Sequence, residues 1–262
     1  MRLFRLFGGN RRRCRFVIVT RERSGSYHLT RMLNSADDIV CHGEVFKPAV
    51  IEVRRTFVRR LGMTRRDTKK RDADPLDFVN RLTALTWRQT TGFKAFCWHL
   101  AQRPPLLEGV LLSTEWRKLF LFRNPLEVYV SARRAKQTGR WIVPEKKRAA
   151  VSDEVLSAAV TYTGESFETS IAQWRQLNKQ YERAMDACPE QILRIGYEEL
   201  GSPGKLQDVL GFLGSSASAT DLDSGLVKQY GGRFRDGIAN WDDFEAHVRC
   251  LGFERYLEGL AD

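Results

Sequence analysis

"FVIVTRERSGSYHLTRMLNS" (residues 16–35) decides the fold of this 262-residue chain. Its first five residues are apolar or β-branched and bounded by charge on both sides, which predicts a buried strand over 16–20. Leu29, Met32 and Leu33 then recur at helical spacing. Between the two lies Arg-Glu-Arg-Ser-Gly-Ser. A strand, a short loop and a helix in this order aim the free N–H groups of the first helical turn, and the positive end of its dipole, at one spot. Gly25 allows close backbone approach or positive φ. Ser24 and Ser26 offer hydroxyls, and Arg23 offers a planar fork of donors suited to phosphate or sulfate oxygens. The stretch therefore predicts an anion site, although an ordinary strand-to-helix turn with a serine cap has the same pattern. The consensus G-x-x-x-x-G-K-[ST] of nucleoside-triphosphate loops is absent.

Outward from this loop, strands alternate with helical segments to the end of the chain. Further strands are expected at Ile39–His42, in "FKAFCWH" (93–99), in "KLFLF" (118–122) and in "QILRIG" (191–196). Asp74 reads as a cap, Pro75 as the first helical residue and Gly92 as the residue after that helix. Asn124-Pro125 opens another helix, with Gly139 at its C′ position. Residues 150–187 read as two helices broken near Tyr162–Gly164, Ser202-Pro203 opens a helix to Leu213, and 240–253 holds the last one. The alternation predicts an α/β fold in three layers, with a mostly parallel sheet flanked by helices. Nothing marks an internal boundary, so 16–262 reads as a single domain behind a basic N-terminal segment, 1–15.

Composition narrows the function. The formal charge of +11 predicts an anionic partner: nucleic acid, a membrane surface or a highly charged small molecule. The five cysteines are scattered and form no C-x-x-C pair, which argues against a zinc site or disulfide framework and for a reducing, cytoplasmic setting. No cluster of His, Cys and Asp suggests a metal. No apolar run approaches the ~20 residues of a membrane span, and the apolar part of "MRLFRLFGGNRRRC" is too short and broken for a signal peptide. That segment could touch anionic lipid or be a solvated terminus. Residues 47–71 carry ten Lys or Arg, read as a solvated face or as an attractor of an acidic acceptor or lipid head groups.

A second stretch, "LFLFRNPLEVYVSARRAKQTGRW" (119–141), sharpens the reading. Arg123 ends a strand, and Ser131 lies about two turns into the following helix. If the strands are parallel, Arg23 and Arg123 share one sheet edge, where ligands of open α/β sheets bind. Two anion sites on one rim suit a ligand with two separated charges. Arg123 could equally pair with Glu127, and Ser131 could be a plain helix hydroxyl.

The pair "RSGSYHLTRMLNS" and "RNPLEVYVS" resembles the two cofactor signatures of sulfotransferases that use 3′-phosphoadenosine 5′-phosphosulfate (PAPS). "SARRAKQTGRW" and "GEVF" are similar to the bacterial carbohydrate sulfotransferases of the trehalose and nodulation-factor types. The resemblance implies the P-loop-like sulfotransferase fold, with Arg23, Ser24, Gly25, Ser26 and Tyr27 holding the 5′-phosphosulfate and Arg123 and Ser131 the 3′-phosphate. Tyr197 would approach the adenine, and Arg235, or equally Arg233, would reach the 3′-phosphate. Tyr27-His28 departs from the family's usual small hydroxyl residue followed by Trp or Leu; the backbone N–H of Tyr27 survives that change. Around Arg235 the match is degenerate, with Asp236 where the family has Lys. The resemblance further implies sulfuryl transfer to a hydroxyl of a glycan or glycolipid acceptor, with no metal and no nucleic acid. Glu44, in "CHGEVF", is the expected general base; His99, at the expected end of the third strand, is its rival. His42 is expected to point differently from Glu44, and Lys94 to contact the transferring group or to snorkel. The alternatives are a P-loop kinase, which lacks its lysine here, and a non-enzymatic binder of nucleic acid or anionic lipid.

Overall fold

The computed structural model describes residues 13–86, 88–141, 158–226, 233–258 and 260. Five strands, β1 (Cys14–Thr20), β2 (Ile39–Glu44), β3 (Thr90–Phe96), β4 (Arg117–Phe122) and β5 (Ile192–Gly196), form one sheet in the order β2-β3-β1-β4-β5. All four pairings are parallel, so every strand delivers its C-terminal end to the same rim. Cys14 and Arg15, assigned from sequence to the N-terminal segment, belong to β1; residues 1–12 of that segment lie outside the described residues.

Alternation along β1 sorts its side chains into two cores. Val17 and Val19 join Phe93, Ala95 and Phe120 against α4 (Pro75–Ala84), α5 (Cys97–Ala101) and α8 (Gly164–Ala187). Phe16 and Ile18 join Cys41, Leu119 and Ile195 against α1 (Ser26–Ser35) and α9 (Pro203–Leu213). The three layers follow directly. Leu126 and Tyr129 of α7 (Pro125–Thr138) pack with Phe167 of α8 and Phe244 of α10 (Trp241–Cys250) in a third cluster. Among the described residues the remaining α-helices, α2 (Arg55–Arg60), α3 (Thr68–Ala73) and α6 (Pro104–Leu106), are short.

Local signals placed several ends correctly. The Asp74 side chain accepts from the Asp77 N–H at 2.9 Å at the start of α4. Asn124 caps α7 ahead of Pro125, and Gly139 ends it at φ 66°. Three expectations are corrected. Gly92 does not end α4; it lies inside β3 opposite Phe16, where a β-carbon would come within 2.4 Å of the Phe16 carbonyl. His99 does not end β3: the chain turns helical at Cys97, because the Phe96 N–H donates to His99 Nδ1 at 3.0 Å and closes the first turn of α5. Before Gly164 no helix occurs over 158–163; Val160 instead bridges to Ile238, and 142–157 lie outside the described residues.

Candidate functional site

The loop from Arg21 to Gly25 leaves the centre of the rim, flanked by the ends of β3 and β4. Arg23 and Gly25 have positive φ, 62° and 84°, on either side of Ser24. Backbone of alternating hand turns successive N–H groups toward one concavity, which favours an anion. Arg23 is the sole non-glycine residue with positive φ among those described, a conformation that tertiary contacts must enforce. Those contacts are visible. Arg123 Nη1 donates to the Arg23 carbonyl at 3.0 Å, and Arg23 Nε donates to Ser131 Oγ at 3.0 Å. Arg23 also donates to the carbonyl of Trp141, just past the end of α7. The two arginine-bearing stretches, a hundred residues apart, thus meet in space. Burial and the nearby Arg123 guanidinium pull Arg23 down to about 10.

Tyr197 completes this half of the site. Its N–H donates to the Phe122 carbonyl at 2.8 Å, continuing the β4–β5 pairing past Gly196. Its ring centroid lies 4.1 Å from Arg123 Cζ, and its Cδ2–Cε2 edge lies against Gly25. A β-carbon at position 25 would stand 2.5 Å from the ring, so the glycine is required by sterics as well as by φ. Arg123 Nε pairs with Glu127 at 3.2 Å, the alternative already visible in the sequence, while Nη1 serves the loop. Ser24 is fully buried and its hydroxyl has no protein partner among the described residues. Ser26 opens α1 and is buried, whereas Tyr27 beside it is 40% exposed.

Glu44 and Lys94 sit two strands and one strand away from β1. Lys94 Nζ donates to Glu44 Oε1 at 2.9 Å, with Lys94 buried in the α1 layer near Cys41. A bulge at Gly43 sets this pair: the register passes from His42–Phe93 directly to Glu44–Lys94. Regular alternation would put His42 and Glu44 on one face. The extra residue divides them, and His42 turns into the opposite layer against the Phe57 ring, 5.0 Å between centroids. The bulge is held by Glu52, whose carbonyl accepts from Gly43 N–H at 3.1 Å and whose Oε2 accepts from Glu44 N–H at 3.3 Å. Arg71, fully buried, donates to the Val45 and Lys47 carbonyls at 2.9 Å each and pins the loop beyond Glu44.

His99 is enclosed, 0% exposed, with its ring stacked on Phe96 and Nδ1 taken by the Phe96 N–H. Burial pushes His99 down to about 3, and the cations Arg103 and Arg71 push the same way. Arg235 is not joined to the Arg23–Arg123 cluster by any described contact. It lies exposed over the Trp241 ring, 5.6 Å from its centroid, and 3.9 Å from Asp242. Arg21 went unnoticed in the sequence. It is buried on the α8 side of the loop, donates to Ser170 at 2.7 Å, and leaves Nε and Nη1 without partners among the described residues; burial lowers it to about 10. The one signal was its place in the period-two alternation, where it follows Val17 and Val19 onto the α8 face.

No family model and no curated protein sequence matches the chain. Solved structures do. The sulfotransferase domain from the Synechococcus PCC 7002 olefin synthase superimposes with TM-score 0.51 and 15% identity, over 87% of this chain and 81% of that one. The sulfotransferase domain from the curacin biosynthetic pathway gives TM-score 0.50 and 13% identity, over 85% and 80%. A sulfotransferase from Alicyclobacillus acidocaldarius gives 0.47 and 18%, over 91% and 95%. The parallel five-stranded sheet, with its anion-type loop after the central strand, therefore has the fold of the first two of these sulfotransferase domains.

Proposed function

We propose that the chain is a sulfotransferase that moves a sulfuryl group from PAPS to a hydroxyl of a carbohydrate-containing acceptor. The observation that carries this reading is the meeting of Arg23, Arg123, Ser131 and Tyr197 around the Arg23–Gly25 turn. Three features fit a doubly charged adenosine ligand: the alternating φ around Ser24, the buried Ser24 hydroxyl with no protein partner among the described residues, and the Gly25–Tyr197 contact that a β-carbon would fill. When bound, PAPS supplies the activated sulfuryl group. The turn N–H groups, Ser24 and Arg23 would hold the 5′ side of the ligand; Arg123 and Ser131 would hold the 3′-phosphate, and Tyr197 would face the base. In-line transfer of this kind rests on positioning and on charge stabilisation. Glu44 would take the acceptor's proton through Oε2, because Lys94 already occupies Oε1 and fixes the carboxylate. His99 is the weaker candidate, since its ring is enclosed.

Thermal shift separates this reading from a kinase. Adenosine 3′,5′-bisphosphate is expected to raise the melting temperature, and ATP with magnesium is not. A rise with ATP alone would overturn the proposal. Transfer of labelled sulfuryl from PAPS to sugar-bearing extracts then identifies the acceptor.

A further inference from the structure

The segment after Glu44 carries a surface that the nucleotide site does not use. Arg54, Arg55, Arg59, Arg60, Arg66 and Lys69 are all exposed, and among the described residues none has an ion pair or hydrogen-bonding partner for its side-chain cation. The acids of the same stretch are engaged elsewhere. Glu52 binds Lys47 at 2.6 Å, Asp67 accepts from the Thr64 N–H at 2.6 Å, and Asp72 binds Arg71 and Arg103. Arg55 and Arg59 stand at i,i+4 on α2, a like-charge spacing that disfavours the helix in isolation. The cost is met by burying Val58, Leu61 and Met63 in the core.

This surface adjoins the proposed base. Glu52 is hydrogen-bonded to Gly43 and Glu44, so Arg54, two residues further on, lies within roughly 7 Å of chain from that contact. Phe57 packs on His42 and holds α2 against the end of β2. The apolar residues of the segment face inward, and no large hydrophobic side chain is exposed between residues 47 and 71. A surface that inserts into lipid presents apolar side chains beside its cations; this one presents cations alone, on a fixed backbone.

Resting on the sulfotransferase reading, we infer that the acceptor is an anionic glycan, bearing carboxylate, sulfate or phosphate groups along its length, which the exposed arginines of the 54–69 surface seat beside Glu44. The selectivity is electrostatic: the chain would take an acidic saccharide in preference to its neutral counterpart, and would lose that preference as salt screens the contact.

The test uses the full chain with three probes: a sulfated glucan oligosaccharide, the unsulfated glucan of equal length, and phosphatidylcholine vesicles containing phosphatidylserine. Wild type is expected to bind the sulfated glucan at least about tenfold more tightly than the neutral one at about 50 mM salt, with affinity falling as salt rises. Combining Arg55→Gln, Arg59→Gln and Arg60→Gln should remove about tenfold or more of that affinity and leave the dissociation constant for adenosine 3′,5′-bisphosphate unchanged. Removing the same charge from α8, with Arg175→Gln, Lys179→Gln and Arg183→Gln, should have little effect. Equal losses in both triple variants, or none in the first, would overturn the docking surface. Binding to the vesicles alone, lost in the first variant, would overturn the glycan in favour of a lipid surface. Failure of the wild type to bind the bisphosphate would instead overturn the sulfotransferase reading, whatever the glucan does.

Discussion

Each proposed role at the residue scale is tied to one contact. Arg123 Nη1 supports the Arg23 carbonyl and Nε holds Glu127, which leaves Nη2 to add a charge-assisted contact to a phosphate. Arg123→Ala should weaken adenosine 3′,5′-bisphosphate by about 1.5–3 kcal/mol, roughly 10- to 150-fold in the dissociation constant by calorimetry. An unchanged constant would remove it from the site. Glu44→Gln keeps the shape of the carboxylate and loses its capacity to accept a proton. Turnover should fall by roughly 10²–10⁴-fold while bisphosphate affinity stays near wild type. Near-normal turnover would move the base elsewhere. The sequence singles out both residues as candidates because each stands at an expected strand end, Arg123 directly after 118–122 and Glu44 two residues after Ile39–His42. It did not foresee how Glu44 is aimed. That direction depends on the Gly43 bulge, which is set by Glu52 nine residues later and has no signature in local alternation.

The elements show where local chemistry suffices. Helix α7 begins and ends where Asn124-Pro125 and Gly139 require, because capping and left-handed termination are short-range. Asn124 also reaches beyond its own helix. Its Nδ2 donates to the Tyr256 carbonyl at 2.8 Å and ties the C-terminal turn to α7. Asn124→Ala should therefore destabilise the fold by about 1–2 kcal/mol, read from the urea midpoint, whereas Asn124→Asp keeps the cap and should lose less. Where elements depend on distant partners, the sequence was misleading. "FKAFCWH" is aromatic-rich and looks extended throughout, yet an imidazole three residues downstream captures the Phe96 N–H and starts a helix. Gly92 looks like a helix stop, yet its missing side chain is what lets β3 lie against Phe16 of β1. Arg235 was assigned by a degenerate motif, and its side chain rests on Trp241.

For the whole molecule, the sheet order was not legible, but its consequence was: parallel strands bring the loops after β1 and β4 together at one rim. The two layers also bury titratable rings. Burial lowers His42 to about 4 and His99 to about 3, so both are neutral in the fold and protonate in the unfolded chain below about 6.5. Their contribution is complete above pH 6.5 and is lost as pH falls toward the folded values. Stability should thus decline by up to about 1.4 kcal/mol per pH unit for each ring between roughly pH 6 and 4.5. Urea unfolding at several pH values checks this, and His42→Leu should make the decline shallower; a flat wild-type profile would contradict it.

Arg71 gives the cationic surface a mechanical character. With its guanidinium sunk beneath the loop and clamping the Val45 and Lys47 carbonyls, the chain after Glu44 is bolted down from below. For the acceptor proposed above, a backbone anchored in this way would carry its cations at set intervals, so the spacing of a partner's negative groups would count as well as their number.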